Sequence, residues 1–513
     1  MTIKTRLSLI LVLCMLLSLV PGCALAEAPD TEAPEAQAAV KAAPTPAEDD
    51  LVQTHHTARI GGQNIDYTAT AGRMALNVEG NTCDMFFTAY TLDGVEDASD
   101  RPITFAFNGG PGSSTEWLHM GMLGPRRVDV DEDGNPTQLP VNIVDNEYSL
   151  LDVTDLVFID PVGTGFSRAS GDTDPKAFYT YASDIASVGN FIRMYVARNG
   201  RWGSAKYVVG ESYGTTRAAR LTNYLSDTYD MALNGVILVS SINDFNTSME
   251  ETRSDLSYTV YLPTYAALGW YHGRLAEPYQ SMTIDVLMDE VRAYAATDYQ
   301  AALFRGSRLT DEEKKAVAQR IAAYTGLDSD FVLKQNLRVY INDFCAQLLS
   351  DKKLAIGRID GRYTGPVTEG DFGNTNADPS SAAMGSAFGM AVNQYISGEL
   401  DYHSDLTYQT MSVEVNDAWK YELDNRLLVQ EKDIYTAISQ NKFLKIWVLC
   451  GYYDLATPFF AAEWVFDHVF LNPEDAGRVT FSHYPSGHMI YMHGPSLAHF
   501  REEALAWYNE QYQ

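Results

Sequence analysis

Tyr207-Val208-Val209-Gly210-Glu211-Ser212-Tyr213-Gly214-Thr215-Thr216 decides the fold. Its first three residues are a short, buried-strand run. Gly210 to Gly214 then spell G-x-S-x-G, and Thr215 to Leu225 follows with helical character. A serine between two glycines at a strand-to-helix turn fits a nucleophile elbow, where a strained turn lifts the hydroxyl above a sheet. A plain helix N-terminus is the competing reading of a serine in this position.

Similar runs recur on both sides of this stretch. Ile103 to Phe107 leads into Asn108-Gly109-Gly110-Pro111-Gly112, and Leu156 to Ile159 into Asp160-Pro161-Val162-Gly163. Val236 to Val239 leads into Ser240-Ser241, and Phe443 to Leu449 into Cys450-Gly451. Short, continuous, β-rich runs read as strands buried on both faces. Ala182 to Arg198 and Thr215 to Leu225 read as helices between them. Strands alternating with helices predict a mostly parallel sheet flanked by helices, an α/β fold with its functional residues at the strand ends.

From residue 243 to 401 strand runs vanish and amphipathic helices take over. Thr310-Asp311-Glu312-Glu313 is a capping box, and residues 328–349 read as one further helix. A mainly helical cap inserted between two parts of the sheet, 51–242 and 402–513, is the simplest account.

The N-terminus reads as an address. Lys4 and Arg6 precede an apolar run from Leu7 to Val20, and small residues follow. The run is shorter than the roughly 20 residues of a membrane span. Ala24-Leu25-Ala26 fits a cleavage site, so residues 1–26 are expected to be a signal peptide and the protein secreted or extracytoplasmic. Val20-Pro21-Gly22-Cys23 resembles a lipoprotein box, and lipid anchoring at Cys23 is the alternative, with Pro21 an awkward fit. Residues 27–50, rich in Ala, Pro and acids, predict a flexible linker.

Net charge is −30 over 513 residues, which disfavours a nucleic-acid partner. Beyond the leader only Cys83, Cys345 and Cys450 remain, too few for a disulfide framework. The histidines are scattered without ligand spacing, so neither metal nor cofactor is expected.

A serine needs a base, and in this topology acid and histidine follow it in that order. Asp454 comes after Ile446 to Leu449 and a glycine. His488 comes after Val479 to Tyr484 and Pro485-Ser486-Gly487. Asp467, His483 and His493 are rivals. The Asn108–Gly112 turn can present backbone N–H groups for an oxyanion hole, with a second donor from the residue after the serine. Trp270-Tyr271-His272 reads equally as pocket lining or core.

Phe107 to Ser114, Asp160 to Ser167, Gly210 to Gly214, Gly451 to Asp454 and Gly487-His488-Met489 together resemble the serine carboxypeptidase family, especially its bacterial members. The likeness runs in family order from about residue 55 to the end. It implies the α/β-hydrolase fold and a triad of Ser212, Asp454 and His488. It implies oxyanion donors at Gly110 and Tyr213, and a clamp of Asn108, Gly109 and Glu211 for the terminal carboxylate of a peptide substrate. Glu211 must be protonated to donate to that carboxylate. The family's better-known eukaryotic members add a second glutamate where Met122 stands here, with Glu116 and His119 out of register. A weaker preference for acid is therefore expected. An esterase or acyltransferase with the same triad, and an inactive surface-binding homologue, are the alternatives.

Overall fold

The computed structural model describes residues 49–509 except 252–253, 368–377 and 424–425. The expected leader, Cys23 and nearly all of the linker lie outside these residues. Asp50, the last residue of the expected linker, already opens the first strand.

Among the described residues ten strands form the main sheet, nine of them in one hydrogen-bonded path. The nine are β1 (Asp50–Ile60), β2 (Gln63–Val78), β3 (Asn81–Leu92), β4 (Ile103–Phe107), β5 (Asp155–Ile159), β6 (Lys206–Glu211), β7 (Gly235–Val239), β8 (Lys445–Gly451) and β9 (Val479–Tyr484). Their spatial order is β1-β2-β3-β5-β4-β6-β7-β8-β9, with Arg168–Ala169 pairing beside β3. From β5 to β9 the neighbours run parallel, while β1, β2 and β3 form an antiparallel flank. The flank was not read from the sequence. Its hairpins turn on Gly61-Gly62 and Glu79-Gly80, all with positive φ, the backbone that tight two-residue hairpins require.

The parallel strands are buried on both faces, and alternation sorts their side chains into two cores. Phe105, Val208, Val236 and Val448 enter one core; Ala106, Val209, Ile237 and Leu449 enter the other. Helices α1 (Tyr181–Arg198) and α2 (Tyr213–Tyr229) cover the first face through Phe191 and Leu221.

Between β7 and β8 the chain is mainly helical. Helices α3 (Asp255–Tyr271), α4 (Ile284–Tyr294) and α5 (Asp311–Thr325) pack into the first core. The capping box at Thr310 and Glu313 forms as expected. Helix α6 (Pro379–Gly398) packs instead into the second core through Phe388 and Tyr395. The expected single helix over 328–349 is two: Ser329–Lys334 and Ile341–Gln347. Asn336 and Leu337 take positive φ between them, which a continuing right-handed helix cannot absorb. Helix α7 (Glu431–Gln440) precedes β8; α8 (Phe459–Asp467) and the closing α9 (Gly494–Asn509), which lays Phe500 on the second core, follow it. No helix among the described residues is long and apolar enough to cross a membrane.

Candidate active site

Ser212 stands at the junction of β6 and α2 with φ 59° and ψ −130°, a backbone that side-chain-bearing residues rarely adopt. Its neighbours must be small. A Cβ on Gly210 would come within 2.2 Å of the Gly214 carbonyl oxygen, and one on Gly109 within 2.5 Å of the Tyr213 nitrogen. The Asn108–Gly112 turn therefore packs directly on the elbow. Tyr213 begins α2, so its N–H has no intrahelical acceptor. The amides of Gly109 and Gly110 donate to no described residue.

Asp454 and His488 meet above the ends of β8 and β9. His488 Nδ1 lies 2.7 Å from Asp454 Oδ2. The carboxylate is held from below: the Ala456 and Thr457 N–H groups donate to Oδ1 at 2.7 and 3.0 Å, and the Thr457 hydroxyl donates to Oδ2 at 2.7 Å. Ser240 Oγ donates to the His488 carbonyl, and the His488 N–H donates to the Ile359 carbonyl at 2.8 Å. Burial works to lower the His488 pKa. The charge and hydrogen bond of Asp454, with the charge of Glu211, outweigh it and leave the imidazole above its ordinary value.

Asn108 and Glu211 form a second buried pair. Asn108 Nδ2 donates to Glu211 Oε1 at 2.9 Å, and Asn108 Oδ1 accepts from the Leu118 N–H at 3.0 Å. Beneath them Arg217 binds both Asp184 oxygens at 3.0 and 2.9 Å and the Asn108 carbonyl at 2.8 Å. Burial pushes Glu211 up to about 7; the His488 charge, Tyr491 and Asn108 oppose the shift and the Asp454 charge adds to it. The second oxygen, Oε2, has no hydrogen-bond partner among the described residues.

Met122 is fully buried in the second core, in the π-helical turn Leu118–Leu123. Tyr491 comes to Glu211 instead. A Cβ on Gly121 would lie 2.5 Å from the Tyr491 ring, so the ring lies flat on that turn. Its hydroxyl lies near enough to Glu211 for each to shift the other's pKa, with Asn108 beside both, though without a hydrogen bond of normal geometry. Glu116 is buried, and neither of its oxygens has a partner among the described residues; burial and the nearby Asp160 push its pKa well up. Burial raises Asp160 itself to about 6.

One cavity of about 1130 Å³ joins these groups. Asn108, Gly109, Gly110, Glu211, Ser212, Tyr213 and His488 all line it, and Thr457 borders it. Asp454 stands just behind His488. The rivals are elsewhere: His483 pairs with Glu463 at 2.7 Å, His493 meets Ser496 at 2.7 Å, and Asp467 ends α8. Trp270, Tyr271 and His272 do not line the cavity; Trp270 donates to the Met282 carbonyl and His272 meets the Gly361 carbonyl. Thr457, Tyr491 and the Arg217–Asp184 brace were missed in the sequence. A threonine three residues after the acid was the one legible signal among them.

The sheet order, the elbow after β6 and the helices on both faces define an α/β-hydrolase. Within that fold the chain belongs to the serine carboxypeptidase family, whose model matches residues 62–487. Serine carboxypeptidase-like 29 of Arabidopsis thaliana is 27% identical over 197 residues, 36% of this chain and 39% of that protein. Serine carboxypeptidase-like 33 of the same plant is 31% identical over 160 residues, 31% of each chain. The matches thus span well under half the length of these relatives. Kex1(Δ)p, a prohormone-processing carboxypeptidase from Saccharomyces cerevisiae, superposes with a TM-score of 0.54 at 16% identity, covering 86% of this chain and 92% of its own. That likeness speaks for the fold.

Proposed function

We propose that the chain is a serine carboxypeptidase that removes residues one at a time from the free C-terminus of peptides. The observation that carries this reading is a single cavity holding the strained Ser212, the hydrogen-bonded His488–Asp454 pair and the Asn108–Glu211 pair.

Ser212 Oγ attacks the last peptide carbonyl while His488 takes its proton. Asp454 orients the ring and stabilises its charged form. The N–H groups of Gly110 and Tyr213 receive the oxyanion. His488 then gives the proton to the leaving amine, and an acyl group remains on Ser212 until water removes it. The leaving residue's carboxylate takes the free N–H of Asn108 Nδ2, the Gly109 amide and a proton held on Glu211. Below about pH 7 Glu211 carries that proton, since burial has already raised its pKa to about 7. A bound carboxylate raises it further. The basic, apolar and small-residue N-terminus supports export, and intact-mass analysis of the mature protein distinguishes cleavage after Ala26 from lipidation at Cys23.

The test is hydrolysis of a blocked dipeptide with a free C-terminus beside the same dipeptide amidated. The free acid is expected to be cut far faster, and Ser212→Ala to lose about 10⁴-fold or more in kcat. Equal cleavage of acid and amide would remove the carboxylate clamp and favour an esterase or endopeptidase.

A further inference from the structure

The catalytic cavity is lined by a guanidinium that has no partner among the described residues. Arg358 lines it, and its guanidinium makes no hydrogen bond or ion pair with a described residue. The more deeply buried arginines are paired: Arg217 with Asp184, and Arg362, four residues on, with Asp360 at 2.7 Å. The backbone of Arg358 is tied in place. Its N–H donates to the Asp378 carboxylate, its carbonyl accepts from the Leu455 N–H at 3.1 Å, and the next carbonyl accepts from His488. The residue is thus fixed between the loops of Asp454 and His488, with its side chain half-buried.

Its charge is felt at His488, at Glu250 beside the cavity residue Met249, and at Tyr421. Tyr421 packs on Phe245 at 5.1 Å, and both line the same cavity. Lys420 adds a second positive group to this wall, and the exposed Glu422 a negative one. Asn108, Gly109 and Glu211 line the same cavity and, on the reading above, take the departing residue's carboxylate. With that carboxylate held, Arg358 is left for the residue that forms the acyl-enzyme. A partly desolvated guanidinium without a partner is costly, and its planar fork matches a carboxylate through two parallel hydrogen bonds.

We propose that Arg358 is a specificity-determining residue that binds the side-chain carboxylate of a glutamyl or aspartyl residue on the acyl side of the bond cut. The enzyme then favours peptides ending in Glu-Xaa or Asp-Xaa. This rests on the carboxypeptidase reading above.

Blocked Glu-Leu, Gln-Leu and Phe-Leu dipeptides test it, with wild type, Arg358→Gln and Arg358→Glu, assayed where the substrate glutamate is ionised. Wild type is expected to show kcat/KM at least about tenfold higher for Glu-Leu than for its neutral isostere Gln-Leu, the worth of one charge-assisted contact. Arg358→Gln brings that ratio close to one. Arg358→Glu inverts it and turns preference toward blocked Lys-Leu. A wild-type ratio near one overturns the proposal without any variant. So does a variant that slows both substrates equally, since that marks a structural role. If wild type cuts none of the dipeptides, the carboxypeptidase reading itself has failed.

Discussion

Glu211 and His488 are each useful in only one protonation state. Glu211 must keep its proton to donate to a carboxylate, and His488 must lack one to act as base. Both are displaced upward, Glu211 to about 7, and each feels the other's charge. Such groups titrate as a pair, and the productive form holds one proton, on Glu211. The kcat/KM profile is expected to be a bell with its alkaline limb near pH 7, set by loss of the Glu211 proton. Glu211→Gln donates at every pH, so it should lose that limb. The acid limb should not move downward, because the protonated Glu211 of the productive form carries no charge for His488 to lose. An unchanged alkaline limb in Glu211→Gln would remove Glu211 from the clamp. A wild-type profile that rises only below about pH 5 would mean that a second acid acts despite Met122.

At the scale of elements, one buried ion pair ties three of them together. Asp184 comes from α1, Arg217 from α2, and the Arg217 guanidinium reaches the Asn108 carbonyl in the turn after β4. Arg217 and Asp184 are both almost fully buried, so removing one strands the other. Arg217→Met is expected to cost about 3–5 kcal/mol in urea unfolding. Arg217→Met with Asp184→Leu should cost less than the single change, a coupling that a double-mutant cycle reads directly. Full additivity of the two would show the pair to be energetically idle. Activity should fall in Arg217→Met as well, since the Asn108 turn loses its support. The elements around this brace were legible because each has a local signature: short, continuous β-rich runs for β4, β6 and β8, and glycine turns where each ends. The antiparallel flank was not. Strand β1 reads Asp-Leu-Val-Gln-Thr-His-His-Thr-Ala-Arg-Ile, mostly polar, and gains its strand identity from pairing with β2 across its whole length. The break at Asn336-Leu337 is a backbone choice that helical periodicity does not encode. In the site, residues named by motif were brought to one cavity, whereas Thr457, Tyr491 and Arg358 act through contacts between distant loops that spacing alone does not reveal.

At the scale of the whole molecule, several acid groups among the described residues are buried without an ion-pair partner, Glu116, Asp160 and Glu211 among them. Burial raises Asp160 from 3.8 to about 6, and Glu211, Glu250 and Glu431 from 4.5 to about 7, while Glu116 is displaced further in the same direction. Each has a folded pKa above its unfolded one, so between those values the native state binds more protons than the unfolded chain. Unfolding then releases protons, and stability falls as pH rises through the window from about 4.5 to 7. His488, raised by Asp454, adds stability that is present below 6.5 and lost above, in the same direction. Buried His119, lowered to about 3, works against this below 6.5, as do the half-buried His56, His272 and His493. Glu463, lowered by His483 and Arg292 against the pull of burial, loses its contribution only below the window. The carboxyls outnumber the histidines there, and a net charge of −30 adds self-repulsion that acid relieves. The melting temperature is therefore expected to rise by several degrees from about pH 8 to about pH 5.5, and to fall again in stronger acid. Scanning calorimetry at constant ionic strength checks it. Repeating the series in high salt removes the general repulsion and leaves the buried groups. Glu250→Gln and Glu431→Gln should each flatten the remaining slope. A melting temperature that peaks at pH 8, or a slope that salt abolishes, would mean that these carboxyls ionise in the folded protein much as they do in water.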